Sequence, residues 1–325
     1  MDNNISTQIP IGNISQFIQE DLRVISNSYD VEEVNTSVNN IQSIIAQVLQ
    51  NDSVNSNSTD SDYHNLAVDI SRTELYGLAC DVLESGLTKY KSCDLLADFL
   101  AYGTKCGREA RCQEIFKILC KMPKIKWNWR GYSFSIAYLT ALFHRAETQK
   151  EIDKIIMQMN AIVEDFHKYI PNDEEAYICE ANVAELCHEY EKKEQVLREA
   201  LDKFEVAPKA ALKLADVYAD CGKYQDAIKM VERSIRDSNQ TQASVSEPYL
   251  YYLRGLCKIT LEQRQANGFT ESSVMEIYSD FNLSLKQERR NGYRKQLRNK
   301  AIMLEEKTSV KVPDEYEELL YLIQS

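Results

Sequence analysis

Glycine and proline are scarce in this chain of 325 residues, which has 10 glycines and 6 prolines. Tight β-hairpins need glycine in turns with positive φ, so this composition argues against a fold with many hairpins. It fits long helices that are joined by short turns. The length allows one large domain or two ordinary ones.

The sequence also lacks the short motifs that mark common active sites. It has no glycine-rich phosphate loop, no GxSxG elbow and no histidine at metalloprotease spacing after His188-Glu189. Its 4 histidines are scattered, and none of its 9 cysteines belongs to a CxxC pair. We therefore expect no metal site, no cofactor and no enzymatic activity. The thiols are predicted to be free cysteines in a reducing compartment.

Signals for membranes and secretion are missing as well. No apolar run is long enough to span a bilayer, and the first residues show no basic region followed by an apolar core. These absences predict a cytoplasmic protein without membrane contact. The formal net charge of −12 at pH 7 argues against non-specific binding of nucleic acid by the whole surface.

What the sequence does contain is a helical pattern, which is most regular between residues 211 and 235. Apolar and small side chains recur there at helical spacing, in two runs on either side of Cys221-Gly222-Lys223-Tyr224. Gly222 lacks the Cβ that clashes in the left-handed conformation, where helices often end. The stretch is therefore predicted to form two helices joined by a tight turn.

This stretch resembles the tetratricopeptide repeat. The positions that carry the resemblance are Leu214, Ala215, Tyr218, Gly222, Tyr224, Ala227 and Ser234. Two positions depart from the family pattern, since Ala211 replaces a large residue and Asn239 stands where proline usually follows. The resemblance implies a right-handed superhelix of helix pairs whose concave groove binds a partner protein.

Neighbouring segments repeat the pattern with graded strength. Residues 174–208 and 248–286 resemble the repeat, the second with an enlarged connector at about 261–275, whereas residues 66–170 resemble it weakly. In that weak part we expect one helix over 66–86, then a helix over 94–102 followed by a turn at Gly107. A single pair cannot bury its apolar face, so neighbours must stack. The prediction is an all-α, right-handed α-solenoid of tetratricopeptide-like pairs.

The sequence predicts three segments. Residues 1–50 form an amphipathic helical hairpin, and residues 51–62 form a polar flexible linker of low complexity. Residues 63–325 form the repeat domain, with capping helices at its C-terminal end. Two interpretations of the hairpin stay open: it caps the array or packs on it, or it is a separate recruiting or oligomerising module.

Candidate contacts for a partner lie on the first helices of two pairs: Lys213, Asp216, Tyr218, Tyr251, Arg254 and Lys258. In the repeat family tyrosine fills the space between paired helices, and we expect that role for most of the 19 tyrosines. Basic and aromatic residues also alternate around Trp127 and Trp129. They suit either base stacking or packing between repeats.

A second candidate site is the basic segment, residues 286–300. Its cations are opposed only by Glu288 and comprise Lys286, Arg289, Arg290, Arg294, Lys295, Arg298 and Lys300. One interpretation is a solvated helix that pairs with acidic neighbours. The other is a dock for an acidic peptide, a phosphate or a nucleic-acid backbone.

The main functional prediction is a non-enzymatic scaffold or adaptor that binds a partner protein or peptide. Two alternatives belong to other classes. Tetratricopeptide arrays also serve as peptide receptors with an N-terminal helical effector, which suggests a regulatory sensor; residues 1–50 show no clear helix-turn-helix for a DNA-binding form of it. The other alternative is a nucleic-acid-associated subunit that uses the basic segment.

Overall fold

The computed structural model describes residues 10–28, 30–52, 58–241, 247–265, 268–287 and 292–324. All regular structure in these residues is helical, with 16 α-helices and a single 3-10 helix. Consecutive helices pack in pairs, which confirms the predicted all-α solenoid of tetratricopeptide-like pairs. The chain forms two compact units, unit 1 (Met1–Cys179) and unit 2 (Glu180–Ser325), and the boundary falls within one helix.

Unit 1 holds the first eight helices and a short 3-10 helix, η1. In chain order they are α1 (Ile11–Asn27), α2 (Val31–Asp52), α3 (Asp60–Ser71), α4 (Tyr76–Lys89), α5 (Cys93–Lys105), α6 (Glu109–Lys121), η1 (Lys124–Lys126), α7 (Trp129–Phe143) and α8 (Gln149–Tyr169). Helix α9 (Glu174–Leu186) contains the boundary between the units.

The N-terminal helices α1 and α2 pack against each other, and α1 also packs against α3. Ile11, Ile14, Ile18 and Ile25 are the buried residues of α1 and recur at helical spacing. The hairpin therefore belongs to the same compact unit as the helices up to α8. Its role, as a cap or as a recruiting module, stays a prediction.

The predicted linker at 51–62 overlaps helices at both of its ends. Helix α2 continues to Asp52, and α3 begins at Asp60. Thr59 caps α3, because its Oγ1 accepts from the Asp62 amide at 3.3 Å while the Thr59 amide donates to the Asp62 carboxylate at 2.7 Å. The polar residues at 59–62 thus start a helix, and residues 53–57 lie outside the described part.

The prediction of a single helix over 66–86 is wrong, because α3 ends at Ser71 and α4 begins at Tyr76. Between them Glu74 has a left-handed backbone with φ of 65°, and the Thr73 hydroxyl donates to the Ile70 carbonyl at 2.8 Å. A threonine hydroxyl can form hydrogen bonds with nearby backbone groups that a helix would otherwise use. Threonine at this position therefore favours the end of α3. The helix expected over 94–102 is present as α5, and the turn at Gly107 follows it.

The joint between α6 and α7 is longer than a simple turn. Pro123 precedes η1, and Trp127, which is 3% exposed, follows it. The Trp127 ring lies 5.1 Å from that of Tyr132, which stacks on Phe166 of α8 at 4.6 Å. The segment 122–128 is therefore packed into unit 1 by aromatic contacts.

Unit 2 contains the remaining helices. They are α10 (Tyr190–Lys203), α11 (Pro208–Asp220), α12 (Tyr224–Thr241), α13 (Glu247–Arg264), α14 (Glu271–Gln287), α15 (Arg294–Thr308) and α16 (Glu317–Gln324). The connector predicted at about 261–275 is shorter than expected, because α13 runs to Arg264 and α14 starts at Glu271. A core that includes Tyr278, Phe281 and Leu304 joins the last two pairs.

Candidate functional site

In the pairs α11–α12 and α13–α14, a serine of the second helix forms a hydrogen bond with a proline carbonyl in the first turn of the first helix. The Ser234 hydroxyl of α12 donates to the Pro208 carbonyl at 2.7 Å, and the Ser284 hydroxyl of α14 donates to the Pro248 carbonyl at 2.7 Å. Proline suits the first turn of a helix, where its missing N–H leaves no donor unpaired. The second helix of each pair thus positions α11 and α13.

Helices α11 and α13 share a face that we call the α11–α13 face. The Tyr249 hydroxyl of α13 donates to the Asp216 carboxylate of α11 at 2.5 Å. Both residues are partly exposed. This hydrogen bond brings side chains of two successive pairs to one surface.

Three tyrosine rings extend this face. The ring of Tyr252 stacks on that of Tyr293 with centroids 4.4 Å apart, and Tyr249 lies 5.6 Å from Tyr293 and 6.2 Å from Tyr252. All three side chains are partly exposed. Their ring faces carry partial negative charge, which attracts cations.

Burial raises the pKa of Asp216, while the hydrogen bond from Tyr249 and the charge of Lys213 act in the opposite direction. Burial is also the largest cause that raises the pKa of Tyr249, and the hydrogen bond to Asp216 raises this pKa further. Asp216 forms no ion pair with any residue in the described part of the chain. Its carboxylate is therefore poorly compensated, and a positively charged or N–H donating ligand would stabilise it.

Of the six predicted partner contacts, Asp216 lies at this face, and Lys213 is close enough for its charge to act on the Asp216 carboxylate. Tyr218 is 7% exposed, and the cationic groups of Arg198 and Lys223 lie 5.6 and 5.4 Å from its ring. This tyrosine thus packs towards α10 and the turn before α12.

Two further predicted contacts, Arg254 and Lys258, pair with a buried carboxylate of α14. The Arg254 guanidinium donates to Asp280 at 2.6 and 3.1 Å, and the Lys258 ammonium lies 3.1 Å from the same carboxylate. Asp280 is 1% exposed. The guanidinium of Arg254 also lies 5.3 Å from the Tyr251 ring. These residues join α13 to α14, and a partner role for them stays a prediction.

The basic segment is described only in part. Arg289 and Arg290 lie outside the described residues, and Lys286 falls in the last turn of α14. The other four cations, Arg294, Lys295, Arg298 and Lys300, are on α15. The Arg298 guanidinium donates to the Leu322 carbonyl of α16 at 3.1 Å, so this cation contributes to packing of the last pair. Nucleic-acid binding by the segment stays a prediction.

The basic and aromatic residues near Trp127 serve packing. Arg130 donates to the buried Asp98 carboxylate at 2.9 Å, and His64 Nδ1 lies 2.6 Å from the other oxygen of Asp98. The Lys124 ammonium lies 3.0 Å from the centroid of the Trp127 ring. These contacts favour packing between repeats over base stacking.

Sequence reasoning missed Tyr249, Tyr252 and Tyr293 as members of a site. The spacing of Tyr249 and Tyr252 places both on one side of a helix, and this was the available signal. No His, Cys, Asp or Glu cluster of three within the described ranges is arranged to hold a metal ion. None of the described helices has the length and apolar character needed to cross a membrane.

Known structures share the helical fold of this chain. A thermophilic tetratricopeptide repeat protein of Thermus thermophilus aligns with a TM-score of 0.50 and 18% identity, over 61% of this chain and 98% of that chain. A tetratricopeptide repeat protein of Parabacteroides merdae aligns with a TM-score of 0.50 and 14% identity, over 95% of this chain and all of that chain. These likenesses establish the fold. No family model matches the sequence, and neither does any curated protein.

Proposed function

We propose that this tetratricopeptide-like helical repeat protein is a non-enzymatic interaction scaffold, and that its α11–α13 face holds a peptide segment of a partner protein. The fold supports a binding role because stacked helix pairs present extended concave surfaces. The observation that carries the proposal is the Asp216 carboxylate, which is partly buried, bonded to Tyr249 and without an ion pair among the described residues.

The chemistry of the face indicates what the peptide would carry. A lysine or arginine side chain would compensate the charge of Asp216. The rings of Tyr249, Tyr252 and Tyr293 would attract the same cation through their faces and cover its methylene groups. The expected ligand is therefore a peptide with at least one basic residue, flanked by residues that pack on tyrosine.

The test is a selection of unstructured peptides from a displayed library on the full-length protein. Affinities of the selected peptides are then measured by fluorescence anisotropy for the wild type, for Asp216→Asn and for Tyr252→Ala. The matched control is Asp202→Asn, an exposed carboxylate of α10 away from this face.

We expect selected peptides to carry lysine or arginine. Asp216→Asn should weaken their binding roughly tenfold, as is typical when a charged hydrogen-bond partner is lost at an interface. The Asp202→Asn control should bind like the wild type. Equal binding by wild type and Asp216→Asn would contradict the proposal.

A further inference from the structure

A groove opens in unit 1 at the joint between α6 and α7. Elsewhere in this unit α4 packs against the following helix α5. At the α6–α7 joint the segment 122–128 replaces a direct turn; α6 packs on α5, while α7 packs on both α5 and α8. A cavity of about 820 Å³ is left between α6 and α8, over α7.

The floor of this groove is apolar. Phe116 of α6, Tyr138 and Leu142 of α7 and Ile155 of α8 line it, and the rings of Phe116 and Tyr138 are 5.1 Å apart. Charged and amide side chains form the rim. A concave apolar surface with a polar rim is typical of a binding site.

The two walls of the groove run in the same direction. Arg145, just before α8, pairs with Glu109 at the start of α6 at 3.1 Å. At the other end the Tyr132 hydroxyl donates to the Lys124 carbonyl after α6, and its ring stacks on Phe166 near the end of α8. From Glu109 to Cys120 the α6 wall is about 16 Å long, which is about three helical turns.

Charge is distributed unevenly along these walls. Glu147 lies at the end where α8 begins, whereas Lys117 and Lys154 lie about two helical turns farther along α6 and α8. Glu151 lies between them, one turn before Lys154. All four are exposed. Among the described residues neither lysine has an ion-pair partner. The groove thus has an acidic end and a basic end, and both lysines are available to a ligand.

We propose that this groove binds an amphipathic α-helix of a partner protein, which runs antiparallel to α6 and α8. In that orientation its first turn meets Lys117 and Lys154, and its last turn meets Glu147. Helices favour acidic residues in the first turn and basic residues in the last, because these complement the helix dipole. The charge preferences of the bound helix and of the groove therefore agree in one orientation only.

The bound helix covers the apolar floor with residues spaced at i, i+3, i+4 and i+7, as helix-in-groove ligands do. The site uses α6, α7 and α8 of unit 1 and shares no residue with the α11–α13 face. The inference is therefore independent of the proposed function.

The experiment uses a displayed library of helical peptides of about 12 residues, which match the length of the α6 wall. Leucines are fixed along one face, and the charged positions of the first and last turns are randomised. After selection on the full-length protein, fluorescence anisotropy gives affinities for the wild type and for Lys117→Glu/Lys154→Glu. The matched control is Lys121→Glu/Lys150→Glu, which changes exposed lysines of the same helices outside the groove.

The selected peptides should carry acidic first turns and basic last turns. The groove variant should bind them roughly tenfold more weakly, and the control within about twofold of the wild type. Asp216→Asn should leave this binding unchanged, which separates the groove from the α11–α13 face. Circular dichroism checks that both double variants are folded.

Absence of binders, loss of the charge pattern, or equal effects of the two double variants would overturn the proposal. Light scattering of the protein alone tests whether a second copy of this chain occupies the groove. A concentration-dependent dimer that only Lys117→Glu/Lys154→Glu abolishes would assign the groove to a second copy of this chain and would also overturn it.

Discussion

Two joints between consecutive helix pairs, one in each unit, are built differently. In unit 2 the four residues 204–207 lead from α10 directly into α11, and α10 packs along α11. In unit 1 the seven residues 122–128 lead from α6 to α7 and include η1 and the buried Trp127. The groove between α6 and α8 lies at this longer joint.

The turns inside three of the pairs, α5–α6, α9–α10 and α11–α12, are by contrast alike in sequence and geometry. Each has a left-handed residue after a cysteine: Gly107, His188 and Gly222 have φ of 78°, 59° and 73°. In each, the next amide donates to the carbonyl five residues earlier at 2.8 Å, as in a Schellman motif. These three pairs thus share one turn, and the surfaces that distinguish them arise at the joints.

The largest effect is expected at the long joint. Trp127→Ala removes a ring that is 3% exposed and packs on Tyr132. The loss of a large buried aromatic side chain should lower the free energy of unfolding by about 4 kcal/mol. Urea unfolding followed by circular dichroism measures it, and the fluorescence of Trp129 reports on unit 1 alone.

Trp127→Phe is the control for this change. The Trp127 Nε1 has no hydrogen-bond partner among the described atoms, so phenylalanine loses no hydrogen bond and keeps an aromatic ring. We expect a loss below about 1.5 kcal/mol. If Trp127→Ala were as stable as Trp127→Phe, the ring would not hold the joint.

The next effect compares buried aspartates of the two units. Asp98 of α5 binds His64 of α3 and Arg130 of α7, and so links three pairs. Asp280 binds Arg254 and Lys258, which both lie on α13. Replacing either by alanine removes the buried partner of these cations and should lower the free energy of unfolding by about 3 kcal/mol.

Hydrogen exchange distinguishes the two aspartates. Asp98→Ala should increase exchange in α3, α5 and α7, because its contacts cross pairs. Asp280→Ala should increase it mainly in α13 and α14. If exchange increased across several pairs in both variants, the two aspartates would not differ in how many pairs they link.

The sequence predicts the repeated pair well because its information is local. Gly107 and Gly222 mark turns, and their neighbours show helical periodicity. His188 was not recognised as a turn residue, because histidine does not favour positive φ as glycine does.

Long-range contacts were not predictable in the same way. Arg254 was expected to face a partner, yet it binds Asp280, which is 26 residues away along the chain. The partnership of Tyr249 with Asp216 depends on how α11 and α13 pack, which periodicity does not specify. The groove between α6 and α8 depends on how α7 packs beside these helices, which the sequence pattern does not specify either.

A smaller effect tests the similarity of the turns. Gly107→Ala and Gly222→Ala each place a Cβ in the left-handed conformation and should lower the free energy of unfolding by about 1 kcal/mol. His188→Gly should raise it by up to about 1 kcal/mol, because it removes the same penalty. Thermal and urea unfolding of the three variants check this. If His188→Gly lowered the free energy of unfolding, the hydrogen bond between the His188 ring and Tyr190, at 3.1 Å, would outweigh the cost of the left-handed backbone at this position.

The smallest effect concerns the α11–α13 face, where we expect Asp216→Asn to stabilise the protein. Burial raises the pKa of Asp216 in the folded state, so the folded protein binds a proton more readily than the unfolded chain does. Ionised Asp216 therefore destabilises the fold at neutral pH, and this penalty disappears as the pH falls through the folded-state pKa.

Asparagine cannot ionise and can still accept the hydrogen bond from Tyr249. Urea unfolding at pH 7 should therefore give Asp216→Asn a slightly higher free energy of unfolding than the wild type, by less than the change expected for His188→Gly. The difference between the two proteins should shrink as the pH is lowered. A variant that is more stable but binds the selected peptides more weakly would mean that the carboxylate is kept at this face for binding. A wild type that is the more stable protein at pH 7 would mean that Asp216 has a structural role.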